Sequence, residues 1–242
     1  MATYRDEGVI LRTVKLGEAD RIITLLTKMH GKVRAVAKGV RRTRSRFGGR
    51  LEPFMRADVL IAQGRNLDVI SQAVSIATYA DPICADYDAY MNSGVIVEAV
   101  DKIVSTEHER SLDQYSLLVS ALASMAKHRH SPKATGESYV MRALSLAGWS
   151  PRMDSCVVCG RHDDLGYFSV HMGGMMCLAD HTPDARVIDT LSISQMNALL
   201  SGDWSLLDSH DLTSKVDELV EEWGEYYLER PIRSLRLLDS NV

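Results

Sequence analysis

The period of the apolar residues changes near residue 80, and that change limits the fold more than any other feature of the chain. Before it, Val9-Ile10-Leu11-Arg12-Thr13-Val14, Arg21-Ile22-Ile23-Thr24-Leu25-Leu26-Thr27 and Lys32-Val33-Arg34-Ala35-Val36-Ala37-Lys38 are β-branched or alternate in polarity, the pattern of strands with one face on a core. Ala57-Asp58-Val59-Leu60-Ile61 and Leu67-Asp68-Val69-Ile70 flank Gln63-Gly64-Arg65-Asn66, which reads as a hairpin turn. Five strands, with one long connection between the third and fourth, predict a small Greek-key barrel of the OB type. Residues 41–53 lack helical periodicity, so no helix is expected in that connection.

After Asp81 the spacing becomes helical. Ile96, Ala99, Val100, Ile103 and Val104 form one apolar stripe. Ser111-Leu112-Asp113-Gln114 has the form of a capping box at the start of a second helix. A third opens at Ser131-Pro132 and stops at Gly148. Ser192-Ile193-Ser194-Gln195 is expected to cap a short helix, and residues 211–229 give a longer one, stopped by Pro231. The class is α+β: a barrel over residues 1–80, then a helical domain over 81–242 carrying a cysteine-bearing insert at 152–190.

Charge is as unevenly distributed as period. Residues 21–51 hold ten Lys and Arg and no Asp or Glu, although the chain as a whole carries -4. Everything outside that window is therefore strongly acidic, and a polyanion such as a nucleic-acid backbone is the first partner to consider. In the third strand, alternation places Lys32, Arg34 and Lys38 on one face and Val33, Ala35 and Ala37 on the other. Arg41, Arg42, Arg44, Arg46 and Arg50 follow in the connection, and arginine's planar fork suits bidentate phosphate contact. Gly39, Gly48 and Gly49 supply bends. Phe47 is the one aromatic in the basic segment, so base stacking is expected to contribute little beside counterion release.

Cys156-Val157-Val158-Cys159 followed by Cys177 has the spacing of a zinc knuckle. The tetrahedron can close through His181 or through Asp180, and His181 is preferred because imidazole is the more usual companion of thiolates. His162 and His171 are near enough in sequence to compete. Cys84 stands apart and reads as a small buried hydrophobe. The cysteine pair lacks the preceding proline and the upstream His-x-Glu of zinc deaminases, which points to a structural brace. Phosphate-loop, dinucleotide, H-E-x-x-H and G-x-S-x-G motifs are absent from the sequence, and His162-Asp163 is one dipeptide without the further ligands of a phosphohydrolase. The N-terminal residues lack the form of a secretory signal, and no apolar run reaches membrane-spanning length.

Several of these residues resemble the RecO family of bacterial recombination mediators of the RecF pathway. The likeness is carried by Glu18-x-Asp20-Arg21, by Gly31-Lys32-x-Arg34-x-Val36-Ala37-Lys38-Gly39-Val40-Arg41-Arg42, and by residues 45–54. It continues in Leu146-x-Gly148-x-x-Pro151, Cys156-x-x-Cys159-Gly160, Gly173-Gly174-x-x-Cys177 and residues 227–234. The resemblance implies an N-terminal OB domain, a helical domain and a zinc-finger insert. It also implies a cytoplasmic, nucleoid-associated protein without enzymatic activity or membrane attachment. Such a protein binds single- and double-stranded DNA, anneals complementary strands, and with RecR helps load RecA onto DNA coated by single-stranded-DNA-binding protein. Asp180 departs from the fourth cysteine of many relatives. The rival readings are a zinc-dependent enzyme acting on nucleic acid or nucleotides, and an adaptor gripping an acidic protein or anionic lipid.

Overall fold

The structure, a computed structural model, describes residues 2–229 and 231–235; Arg230, within the last of the family-like segments, lies outside them. Strands β1 (Thr3–Leu16), β2 (Asp20–Thr27), β3 (Gly31–Ala37), β4 (Met55–Ala62) and β5 (Asp68–Thr78) form a closed barrel in the order β1-β2-β3-β5-β4. The pairings are antiparallel except where Ala35 and Val36 of β3 meet Asp68 and Val69 of β5 and complete the ring. Ile10, Ile23, Leu25, Val33, Ala35, Ala37, Val59, Ile61 and Ile70 fill the interior, the alternate residues that a period of two selects. Gly8 lies where two strands crowd: a Cβ there would sit 2.9 Å from Leu25 Cδ1 and 3.2 Å from the Leu26 carbonyl oxygen.

The β3–β4 connection contains one 3-10 turn, Gly48–Leu51, where no helix was expected. Four residues are too few to show a period. Phe47 and Leu51, each 1% exposed, join the barrel core from this connection. Burying the Phe47 ring contributes roughly 1.5–3 kcal/mol.

The chain divides into two compact units, Met1–Arg129 and His130–Val242. In the first, the barrel is joined by α1 (Ala80–Cys84), α2 (Tyr87–Ile103) and α3 (Leu112–Ala126). Asp86 caps α2 by accepting from the Ala89 N–H, and α2 lies against β1. Ser111 stands at the N-terminus of α3 but makes no side-chain cap bond, so the capping-box pattern located the helix without supplying its mechanism. Cys84 is exposed rather than buried, because it ends a one-turn helix with only Ile83 turned inward. The α2–α3 connection runs beside β3: His108 N–H donates to the Lys32 carbonyl at 2.9 Å, and a Cβ on Gly31 would collide with the Glu109 carbonyl.

The second unit contains α4 (Pro132–Leu146), β6 (Leu165–Ser169), β7 (Gly174–Cys177), β8 (Arg186–Val187), α5 (Thr190–Ser201), α6 (Trp204–Leu207) and α7 (Ser214–Leu228). Ser131 caps α4, as its sequence implies, and Gly148 follows the end of that helix in the left-handed region. The cap of α5 is Asp189, three residues ahead of the expected Ser192; Ser192 is buried and gives its N–H to Asp189. α4 packs on α5 and α7, with Ser138 Oγ donating to the Leu199 carbonyl at 2.8 Å. Gln195 ties the chain ahead of α7, donating to the Asp211 carbonyl and accepting from the Thr213 N–H. The insert is a three-stranded sheet ordered β7-β6-β8.

Candidate functional site

The basic connection of the barrel is a chain of turns with its cations outside and two apolar anchors inside. Gly39 adopts φ +69° and gives its N–H to Asp20 Oδ1 at 2.7 Å. Arg41 N–H bonds the Ala19 carbonyl, Arg42 N–H the Gly39 carbonyl and Ser45 N–H the Arg42 carbonyl. These bonds, with Phe47 and Leu51 anchored in the core, fix the backbone of the connection, and its arginines face solvent. Lys38, Arg41, Arg42, Arg44, Arg46 and Arg50 are all exposed. Among the described residues, none of the six forms an ion pair with a carboxylate.

Three of the five guanidinium groups among them are oriented by neutral partners. Arg41 Nη1 donates to the carbonyls of Gly17 and Glu18, at 3.3 and 3.0 Å, which joins the basic connection to the β1–β2 turn. Arg50 Nη1 donates to the carbonyls of Arg46 and Phe47. The Arg46 guanidinium lies 4.9 Å from the Phe47 ring centroid. Phe47 is therefore the anchor of this segment, and its buried ring offers no platform to a base.

Two of the eight expected cations are engaged elsewhere. Lys32 is buried, and its Nζ donates to the Asp101 carbonyl at 2.8 Å and to Asp101 Oδ1 at 3.3 Å. Arg34 is half-buried and lies 3.4 Å from Glu107. Alternation correctly turned both away from the barrel interior; the face they share is covered by α2 and the α2–α3 connection.

In the second unit, the ligand atoms of Cys156, Cys159, Cys177 and Asp180 all lie within 4.8 Å of one another, a group that can hold a metal ion. Cys156 and Cys159 flank a tight turn in which Gly160 N–H bonds the Cys156 carbonyl, and Cys177 ends β7. Gly174 lets the chain at Arg152 run against β7; a Cβ there would collide with the Arg152 backbone. Cys159 Sγ is 3.8 Å from Cys177 Sγ, and Cys177 Sγ donates to Asp180 Oδ2 at 3.1 Å.

His181, the expected fourth ligand, is placed outside the group. Its ring stacks on Tyr167 with centroids 4.0 Å apart, and its Nδ1 contacts the Leu178 carbonyl. The turn after Cys177 points residue 180 inward and residue 181 outward. His162 bonds the Asp154 carbonyl and His171 faces Asp184, so neither competes.

Three of the four groups are displaced from their ordinary titration ranges. Burial opposes ionisation of Cys156, yet the N–H groups of Cys159, Cys177 and Val158 outweigh it and bring the thiol down to about 6. Burial and then the bond to Asp180 push Cys177 up to about 11. Hydrogen bonds from Cys159 and Cys177 hold Asp180 below its ordinary range. A cation entering this group would displace the shared protons.

Residues 1–79 match the family model described as recombination protein O N terminal, and residues 84–236 match the one described as recombination protein O C terminal. The chain is similar to proteins named DNA repair protein RecO. That of Bifidobacterium longum strain NCC 2705 is 65% identical over 240 residues, covering 99% of this chain and 100% of the relative. That of Nocardioides sp. strain JS614 is 42% identical over 241 residues, covering 98% and 99%. That of Thermobifida fusca is 41% identical over 241 residues, covering 99% of each.

Proposed function

The chain belongs to the recombination protein O family, and from that premise we propose that it is a non-enzymatic recombination mediator that binds single- and double-stranded DNA through the basic connection of its barrel. The observation that carries this reading is the set of six exposed cations, Lys38, Arg41, Arg42, Arg44, Arg46 and Arg50, held on an ordered loop with no carboxylate partner among the described residues. Two strands repel through their phosphates. A surface that neutralises both lowers that barrier and promotes annealing without a covalent step.

Six phosphates neutralised on a single strand give a slope of log affinity against log salt of about -4.2, at roughly -0.7 each. The barrel, residues 1–80, serves as the DNA-binding module. The helical domain, 81–242, is the part available to RecR and to the acidic tail of single-stranded-DNA-binding protein, so that RecA is loaded on DNA freed of its coat. Cytoplasmic action at the nucleoid fits this role, and among the described residues no helix is long and apolar enough to cross a membrane.

Zinc suits the four-donor group. Zn–S bonds of about 2.3 Å in a tetrahedron place two sulfurs about 3.8 Å apart, the separation seen between Cys159 and Cys177. Cys156, Cys159, Cys177 and Asp180 would hold the ion and brace the insert, and four protein donors leave no open position of the kind a catalytic zinc keeps. The test is fluorescence anisotropy with short single strands across a salt series, with and without chelator. The slope should be steep and should persist after chelation; a flat salt dependence would remove the electrostatic reading.

A further inference from the structure

We propose that the cleft beside the basic connection takes an unstacked nucleobase of a single strand whose phosphates lie on the neighbouring arginines; the proposal rests on the DNA-binding reading above and names a second element of the same site. The cleft is a cavity of about 960 Å³ lying among the 3-10 turn, the start of β4, the end of β5 and helices α1 and α2. That size falls within the range of clefts that bind small ligands, about 300–1,000 Å³.

Its chemistry selects a base over a phosphate. Arg50 is the one cation among its lining residues, and it belongs also to the basic connection. Because Arg50 uses Nη1 for the Arg46 and Phe47 carbonyls, Nη2 and Nε remain to meet a phosphate at the rim. Of the two carboxylates on the cleft wall, Glu52 is ion-paired with Arg21 at 2.6 Å. Asp81 is exposed, a group that repels phosphate and accepts hydrogen bonds from the N–H groups of a base edge.

Within the cleft stands Tyr90, 48% exposed. Its ring is steadied edge-on by Phe54, with centroids 6.0 Å apart at 90°. Phe54 is itself held in the left-handed region at φ +68°, with its N–H bonded to the Ile10 carbonyl at 3.0 Å. A bulky residue keeps that conformation only where its surroundings impose it, and such positions gather at ligand clamps. The half-exposed ring, lining the same cleft as Arg50, gives the stacking surface that Phe47, buried in the core, does not.

The test compares a thymidine oligonucleotide with an all-abasic strand of equal length, which has the same phosphates and no bases. The wild-type full chain should prefer the thymidine strand by roughly 5- to 150-fold, the range for one stacked base. Tyr90→Ala should abolish that preference while leaving abasic affinity and its salt slope unchanged, and Tyr90→Phe should retain it. In the wild type, alkylation of Cys84, exposed on the cleft wall and read by peptide mass, should be slowed by the thymidine strand and not by the abasic one at equal occupancy. A preference that survives Tyr90→Ala, or equal protection of Cys84 by both strands, overturns the proposal. If replacing Arg41, Arg42, Arg44 and Arg46 by Ala leaves the abasic salt slope unchanged, the DNA-binding reading fails first and the cleft falls with it.

Discussion

The basic connection of the barrel and the cysteine knuckle of the second unit are both built from turns, yet opposite forces hold them in shape. In the first, Phe47 and Leu51 are buried in a core that exists for other reasons, and like charges are tolerated because water and salt surround them. In the second, the convergent groups are thiols and a carboxylate whose shared protons hold them together only in part. Apolar burial orders the basic connection without a cofactor; the knuckle has a small apolar core of its own around Cys156, Met176 and Cys177, and its convergent donors give an ion something further to hold. The two regions should therefore respond to different perturbations.

The largest expected effect is metal removal. A structural zinc contributes on the order of 10 kcal/mol in isolated zinc peptides, so chelation should lower the melting temperature of the second unit while the salt slope of DNA binding persists. Loss of both together in a calorimetric and anisotropy series would break the contrast. Next, Phe47→Ala should cost about 3–5 kcal/mol of stability, as a large buried aromatic does, read as a fall in the urea midpoint of the first unit alone.

Replacing Arg41, Arg42, Arg44 and Arg46 by Ala should change stability little and weaken single-strand binding by roughly 10²–10³-fold near 0.1 M salt, with the slope flattened by about 2.8. An unaltered slope would place the phosphate contacts elsewhere. Asp180→Ala should weaken metal binding by at least the roughly 10- to 100-fold typical of outer-shell changes. The smallest effect belongs to His181→Ala, which removes a stack on Tyr167 worth about 0.5–1.5 kcal/mol and should leave metal affinity unchanged; metal competition titrations separate the two.

Much of this architecture was legible because it rests on periodicity. The five strands and the hairpin at Gly64 follow from spacing, and the longer helices after residue 80 from spacing together with their terminal residues; the short α1 and α6 show no period and were not expected. What spacing does not carry is which outward face becomes covered. Lys32 and Arg34 were read as cations on a free face because nothing local marks Asp101 and Glu107, some 70 residues on, as their partners. Asp180 and His181 are adjacent, and only the turn after Cys177 decides which one points at the thiols. The cleft beside Arg50 is assembled from two stretches, residues 48–55 and 75–90, and has no linear motif; Phe54, just past the basic run, is its nearest signal in the sequence.

The covering of the barrel by α2 has a practical consequence for anyone cutting this molecule. Val9 and Leu11 of β1 are both buried yet lie outside the barrel's interior cluster, while Lys32 anchors to Asp101 and Gly31 accommodates the Glu109 carbonyl. A fragment ended after Thr78 would bare that greasy outer wall to solvent and should precipitate or self-associate. An expression boundary near Arg129 retains the lid and should give a well-behaved fragment for studying the first unit by itself.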